Sequence, residues 1–294
     1  MKASFGEKVF YIINYIVLGL WGISCVLPLI NMAAVSLSDN TAIASGSVFL
    51  WPVGLNIESY KIFFEGKQAF TAIKNSVIYT IVSVVFHVSC TVLAAYPLSR
   101  KYFIGRRYIT LLIVFTMLFG GGAIPHYLLI QKLGLLNTYW SMWLPGAIGT
   151  YNLLIMKSSF EGIPEELFES ARIDGCSELG MLFKIVLPLS GAVIATITLF
   201  ASIGAWNNFG GMLMYITDTS KHNLPVMVQQ LIQTQRFMQQ ITNSIDMEAE
   251  ALSKLTPDSV RAAGVFILIV PMLAVYPFMQ KHFVKGVLIG SVKG

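Results

Sequence analysis

Charge is what this sequence has least of. Of its 294 residues only 12% are Asp, Glu, Lys or Arg, while 55% are hydrophobic. An average soluble domain carries about 25% charged residues, so the composition excludes an ordinary soluble chain and points to an integral membrane protein. The deficit is concentrated in runs. Residues 9–38, 75–99, 108–131, 133–156, 185–217 and 262–280 contain no Asp, Glu, Lys or Arg. A spanning helix needs about 20 mainly apolar residues, and each run holds one. The expected fold is therefore all-α, one transmembrane domain over 1–294. Its six spans would lie at about 9–37, 75–99, 108–130, 139–157, 186–207 and 262–280.

Other absences narrow the function. The three cysteines, Cys25, Cys90 and Cys176, are far apart and match no metal or disulfide spacing, and the four histidines are scattered, so no metal site is expected. No stretch reads G-x-x-x-x-G-K-[ST], the loop whose amides cradle nucleotide phosphates. The glycines of FGGGAIPHY come without a lysine. No nucleophile pairs with a base in the spans, so the chain is not expected to be an enzyme or to bind a cofactor. Proton- or sodium-coupled carriers place acids or broken polar helices inside the membrane. Here His87 and His126 are the ionisable candidates in the spans, and a lone span histidine more often packs or bonds a neighbouring helix. A self-sufficient carrier is thus the weaker alternative. A channel fits the uncharged spans but leaves the distribution of acids unexplained.

Lysine and arginine set the orientation. The short loop SRKYFIGRR, with Arg100, Lys101, Arg106 and Arg107, is the densest basic segment. Placing it inside puts both termini in the cytoplasm, and the net charge of +5 then reflects topology and requires no nucleic acid. The N-terminal apolar run is too long for a cleaved signal peptide and reads as a retained first span. Outer loops would cover 38–74 and 208–261, and a cytoplasmic loop 158–187.

That cytoplasmic loop gathers the acids: six of fifteen fall between Glu161 and Glu178. Pro164 suits a first helical turn, Glu165 and Glu166 suit the positive end of the helix dipole, Gly175 suits a left-handed stop, and Ser177 suits a second N-cap. The expectation is helix, tight turn, helix on the inner membrane surface, leading through Leu187 and Pro188 into the fifth span. On these residues alone the hairpin is either a connector or a docking surface. Its length favours docking.

The segment ESARIDGCSELGMLFKIVLP, from Glu169 to Pro188, resembles the signature loop of membrane subunits of binding-protein-dependent ABC importers. That pattern begins Glu-Ala-Ala, has a glycine several residues on, and ends Ile-x-Leu-Pro. Here Glu169, Ser170 and Ala171 stand for its start, Asp174 and Gly175 for its centre, and Leu187 and Pro188 for its end. The stretch from Asn75 to Arg100, closing on Tyr96, Ser99 and Arg100, is similar to the family's second span. FGGGAIPHYLLIQKLGLLNT is similar to the third span and turn of a carbohydrate-importing subgroup, WNNF to the end of the fifth span, and QKHFVKGVLIGSVKG to the tail of sugar permeases. Within that subgroup the chain is similar to permeases for complex oligosaccharides, the second permease of the alginate importer among them.

The resemblance implies a type I ABC importer permease with a cytoplasmic coupling helix, in a bacterial plasma membrane. It implies that Glu169, Ser170, Ala171, Asp174, Gly175, Leu187 and Pro188 engage an ATPase subunit. It implies too that the tail, with Lys285, Gly286, Ser291 and Lys293, reaches the ATPase interface. The partners would be a second, homologous permease, two ATPase subunits that bind ATP and Mg, an external solute-binding protein and an oligosaccharide.

Sugars need hydrogen-bond partners and flat apolar faces. The candidates for the pathway are Trp206, Asn207 and Asn208, with Tyr151, Asn152 and Asn31. The same residues suit an aromatic belt or helix-joining hydrogen bonds. Gly120, Gly121 and Gly122, each costing about 1 kcal/mol relative to Ala in a helix, would loosen the third span for gating or allow close packing. The outer segment 226–256 reads as a helical region facing a partner or solvent.

Overall fold

A computed structural model describes residues 4–65, 67–244 and 257–291. Among these the chain is helical, with no strand. It forms two compact units, Met1–Phe70 with Met227–Val270, and Thr71–Val226 with Pro271–Gly294.

In the first unit, α1 (Phe5–Ser36) starts where the Ser4 amide donates to Glu7 at 2.8 Å. Its 32 residues rise about 48 Å, more than the roughly 30 Å of a bilayer's hydrocarbon core. Ile12, Ile16, Leu20 and Ile23 are all more than half exposed, the surface expected of a helix that lipid or another subunit covers. Beyond α1 the chain folds back on itself. The Asp39 amide donates to the Val53 carbonyl and the Asn56 amide to that of Leu37, both at 2.9 Å. Between these bonds Asp39 caps α2 (Asn40–Ala44), and Ala34, Ala42 and Val48 close a small core. α3 (Glu58–Phe64) follows.

The second unit begins on α4 (Lys67–Ser99), which also contributes its first residues to the first unit. α5 (Arg106–Leu118) and α6 (Ala123–Lys132) meet at 116° across the glycines. Gly122 carries the turn at φ +84°, a left-handed conformation that costs other residues strain. The stretch expected to cross at 139–157 is two short helices, α7 (Trp140–Trp143) and α8 (Thr150–Glu161). Pro145 has no N–H to continue α7, and Gly146 lies so close under Met142 that a Cβ would sit 2.8 Å from its carbonyl oxygen.

Next come α9 (Glu165–Ile173) and α10 (Glu178–Leu189), the latter bent 82° from α11 (Gly191–Trp206). Pro188 has no N–H for the helical ladder, and just before it the helix widens to a π turn over Leu182–Val186, with the Leu187 amide reaching the Leu182 carbonyl. α12 (Phe209–Tyr215), α13 (Leu224–Ser244) and α14 (Pro257–Ser291) complete the chain. Where α13 meets α14 in the first unit, a Cβ on Gly264 would stand 2.6 Å from Cγ1 of Val228. The two backbones approach as closely as they do because that position has no side chain.

Among the described residues α1 and α4 are each long and apolar enough to cross a membrane. The number rises to four if each bent pair, α5 with α6 and α10 with α11, is one span.

Candidate coupling surface and translocation cavity

The acidic hairpin is built from local rules. Pro164 precedes α9, and Glu165 and Glu166 occupy its first turn, where carboxylates favour the helix dipole. The helix ends in a Schellman turn: the Cys176 amide reaches the Ala171 carbonyl at 2.8 Å and the Gly175 amide that of Arg172 at 3.0 Å. Gly175 takes φ +71° to permit it. The hydroxyl of Ser177 then accepts the Gly180 amide at 3.2 Å and starts α10.

One side of the hairpin is anchored. Phe168 is fully buried in a core with Tyr96, Phe160, Met181, Leu182 and Val186. The buried guanidinium of Arg100 lies 3.9 Å from the Phe168 ring centre and donates to the Phe160 carbonyl at 2.9 Å. Glu178 accepts from the hydroxyl of Tyr96 at 2.7 Å and that of Tyr102 at 2.6 Å. Arg172, from α9, stands 4.9 Å over the Tyr102 ring and 3.6 Å from Glu165. Burial works against the Glu178 charge, but the hydroxyls of Tyr102 and Tyr96, with Arg172 and Arg100, outweigh it and hold the carboxyl below its usual range. Burial, then Glu178, pushes the Tyr102 phenol up.

The other side of the hairpin is free. Glu169, Ser170, Asp174, Gly175 and Pro188 are exposed, while Ala171 and Leu187 are half-buried against the core. Of the tail residues, Lys285, Gly286 and Ser291 fall in the last turns of α14, where only the backbone is described, and Lys293 lies outside the described residues.

A cavity of about 220 Å³ opens between α4, α7, α8 and α11. Tyr79, Ser83 and His87 reach it from α4, Met142 and Trp143 from α7, Asn152 from α8, and Asn208 from the end of α11. Small residues, Ala201, Gly204 and Ala205, leave the space. The Trp143 indole donates to Ser83 at 2.9 Å and its ring stacks on Tyr79. The Asn208 side chain is committed: it donates to the Tyr79 hydroxyl at 2.7 Å and accepts the Gly211 amide at 3.0 Å, capping α12.

Of the residues expected along a pathway, the fold brings Asn152 and Asn208 together at this cavity. Trp206 is buried and does not line it. Asn207 is exposed and bonds back to the Ile203 carbonyl, and Tyr151 is exposed. Asn31 lies in the first unit and donates to the Phe49 carbonyl at 2.6 Å. Sequence reasoning missed Tyr79, Ser83 and His87 as one group. The signal was present, as three polar-tipped residues spaced by four along an apolar helix share a face. It also missed Tyr96, Arg100 and Tyr102 as the anchor of the hairpin, because nothing local ties them to Glu178.

The described residues are thus all-helical, with an acidic hairpin anchored on one side and a polar cavity lined by no Asp, Glu, Lys or Arg. The chain belongs to the family of binding-protein-dependent transport system inner membrane components, which residues 68–289 match. It is 40% identical over 292 residues to Protein LplC of Bacillus subtilis (strain 168), covering 98% of this chain and 96% of that one. It is 38% identical over 289 residues to the polygalacturonan/rhamnogalacturonan transport system permease protein YtcP of the same organism, covering 98% and 99%. It also superposes on a chain from the crystal structure of a bacterial ABC transporter involved in the import of the acidic polysaccharide alginate. There the TM-score is 0.84 at 30% identity, over 96% of this chain and 99% of that one. The protein is thus a membrane permease subunit with the type I fold, a transport component.

Proposed function

We propose that this chain forms one half of the translocation pathway of an ATP-driven importer and passes an oligosaccharide delivered by an external binding protein. The single observation that carries this reading is the two-sided hairpin. Contacts of Phe168 with Arg100 and of Glu178 with Tyr96 fix it to α4 and the residue that follows it, while Glu169, Ser170, Asp174 and Gly175 stay exposed. A connector needs no such anchorage; a lever does. Relatives named for polygalacturonan/rhamnogalacturonan transport and for alginate import support a sugar as cargo.

In this reading six spans cross a bacterial plasma membrane with both termini in the cytoplasm, and the loop 158–187 docks on one of two ATPase subunits. Lys285, Gly286, Ser291 and Lys293 add contacts from the tail, and ATP and Mg stay on the partners. A second, homologous permease completes the pathway, which runs past Asn152 and Asn208. Nucleotide-driven closure of the ATPases moves α9, and the anchors pass that motion to α4 and the cavity. The test is purification from native membranes in mild detergent, comparing wild type with Glu169→Lys/Gly175→Pro. Wild type should bring down an ATPase and a second permease, and the variant should lose the ATPase alone. Wild type that purifies without partners would favour a self-sufficient carrier or channel.

A further inference from the structure

A second cavity, of about 250 Å³, lies where α4 ends and the hairpin begins. Ser99, Arg100, Lys101 and Arg106 line it, with Glu161, Ile163 and Glu165. Both acids have cations that are not part of this lining. Glu161 holds Lys157 at 2.8 Å, and Glu165 stands 3.6 Å from Arg172. The three lining cations are less well matched. Lys101 makes no ion pair among the described residues, and Arg106 reaches Glu161 only at 3.8 Å. Arg100 is buried, and it donates from Nε to the Ser99 hydroxyl at 3.1 Å and from Nη2 to the Phe160 carbonyl at 2.9 Å. Its Nη1 makes no hydrogen bond among the described residues. α5 opens at the same place. Its N-cap is Gly105, and no side chain caps it, so its first-turn amides add positive potential beside Arg106. Three cations and a helix N-terminus around one cavity are an arrangement that holds phosphate.

The position of the cavity says which phosphate. α4 is long and apolar enough to cross a membrane and ends at Ser99. The cavity therefore sits where the chain leaves the hydrocarbon. Ile104, between Lys101 and Arg106, is 96% exposed, and Tyr108, in the first turn of α5, is 73% exposed. An apolar and an amphipathic aromatic side chain beside a basic cavity suit the boundary between acyl chains and headgroups. A soluble phosphate would use neither.

We propose that this cavity binds the phosphate of an anionic phospholipid headgroup. Lys101 and Arg106 are its principal donors, Arg100 lies behind them, and the acyl chains run outside along Ile104 and Tyr108. Basic pockets between membrane helices take such headgroups. Glu161 is the built-in competitor, because it holds Arg106 when no lipid is bound. A bound headgroup joins the loop between α4 and α5 to the root of the hairpin at Glu161 and Glu165. The site needs the membrane placement of α4 and α5 and is independent of what the transporter carries.

The test purifies the full chain in mild detergent with whatever subunits accompany it. It is titrated with dioctanoyl phosphatidylglycerol, dioctanoyl phosphatidylcholine and glycerol phosphate, and bound ligands are counted by native mass spectrometry. Wild type should bind phosphatidylglycerol about tenfold tighter than the other two. Arg106→Gln and Arg107→Gln each remove one charge from the same helical turn, but only Arg106 lines the cavity. Arg106→Gln should weaken phosphatidylglycerol binding about tenfold, and Arg107→Gln less than about twofold. Glu161→Gln releases Arg106 and should tighten binding about threefold, a gain that misfolding does not produce. Equal losses in the two arginine variants would mean diffuse attraction to a basic surface and overturn the proposal, as would unchanged binding in Glu161→Gln. Equal affinity for glycerol phosphate or for phosphatidylcholine would overturn the anionic lipid as ligand. Loss of an accompanying subunit from Arg106→Gln, with lipid binding kept, would assign the cavity to a protein partner and overturn it too.

Discussion

The Tyr96 hydroxyl donates to the Glu178 carboxylate at 2.7 Å across 82 residues of sequence, and Tyr102 donates to the same oxygen at 2.6 Å. Tyr96 sits on α4, the helix that also carries Tyr79, Ser83 and His87. The second half of the hairpin is thereby joined to the helix that lines the cavity. Hydrogen bonds to a charged partner contribute about 1.5–3 kcal/mol each. Glu178→Gln removes the charge and leaves the shape. Transport by the assembled importer should fall about tenfold, while the ATPase still co-purifies and still hydrolyses ATP. Equal loss of transport and hydrolysis would mean that Glu178 only maintains the fold.

The same carboxylate sets a pH dependence. Glu178 is held below its usual value of 4.5, so its stabilising contribution is fully present above that value. It is lost as pH falls through the lower, folded value. Between about pH 5 and about pH 8 the contribution of Glu178 to the thermal midpoint of the protein in detergent should be constant. Below that range wild type should lose stability more steeply than Glu178→Gln. Parallel acid limbs in the two proteins would remove this role.

Arg100 tests the anchor from the other side. It is buried, stacks on Phe168 and donates to the Phe160 carbonyl. Lysine keeps the charge but loses the planar fork, so Arg100→Lys should destabilise by about 1–2 kcal/mol. Protease cleavage within residues 161–177 should become faster, while cleavage within residues 38–57 should not change.

At the glycines between α5 and α6, only Gly122 has positive φ, and a Cβ on Gly120 or Gly121 meets no atom within 4 Å. Gly122→Ala should therefore destabilise by about 1–2 kcal/mol, and Gly120→Ala and Gly121→Ala should be close to neutral. Thermal midpoints of the three single variants decide it. Equal effects would mean that the bend does not depend on one left-handed residue.

Gly264 answers to Val228. Gly264→Ala places a methyl 2.6 Å from Cγ1 of Val228 and should cost about 1–3 kcal/mol by overpacking. Val228→Ala in the same chain should recover most of the loss, a non-additivity that a double-mutant cycle measures. Additive effects would show that the helices do not meet there.

The hairpin was legible because local chemistry writes it: a proline to start, two acids on the dipole, a glycine for the left-handed stop and a serine for the next cap act within a few residues of each other. The break at Pro145 and Gly146 was harder to see. An apolar run of the right length reads as one helix unless the proline's missing N–H is weighed against it. The cavity was legible only in part. Asn152 and Asn208 stood out as polar residues in apolar runs, but Asn208 is spent on capping α12, and Trp206 is turned into the protein.

The sequence by itself determined that this protein belongs in a membrane, that six of its fifteen acids gather in one hairpin, and that it contains no G-x-x-x-x-G-K-[ST] loop. Each of these follows from which residues are near each other along the chain. Only the tertiary structure decided that Glu178 holds Tyr96, that Arg100 lies on Phe168, and that His87 shares a proton network with Asn152 and Gly146. These pairs are separated by 59 to 82 residues. Their meeting depends on how long helices pack, and an apolar helix can present any of its faces to a neighbour without a mark in its own composition.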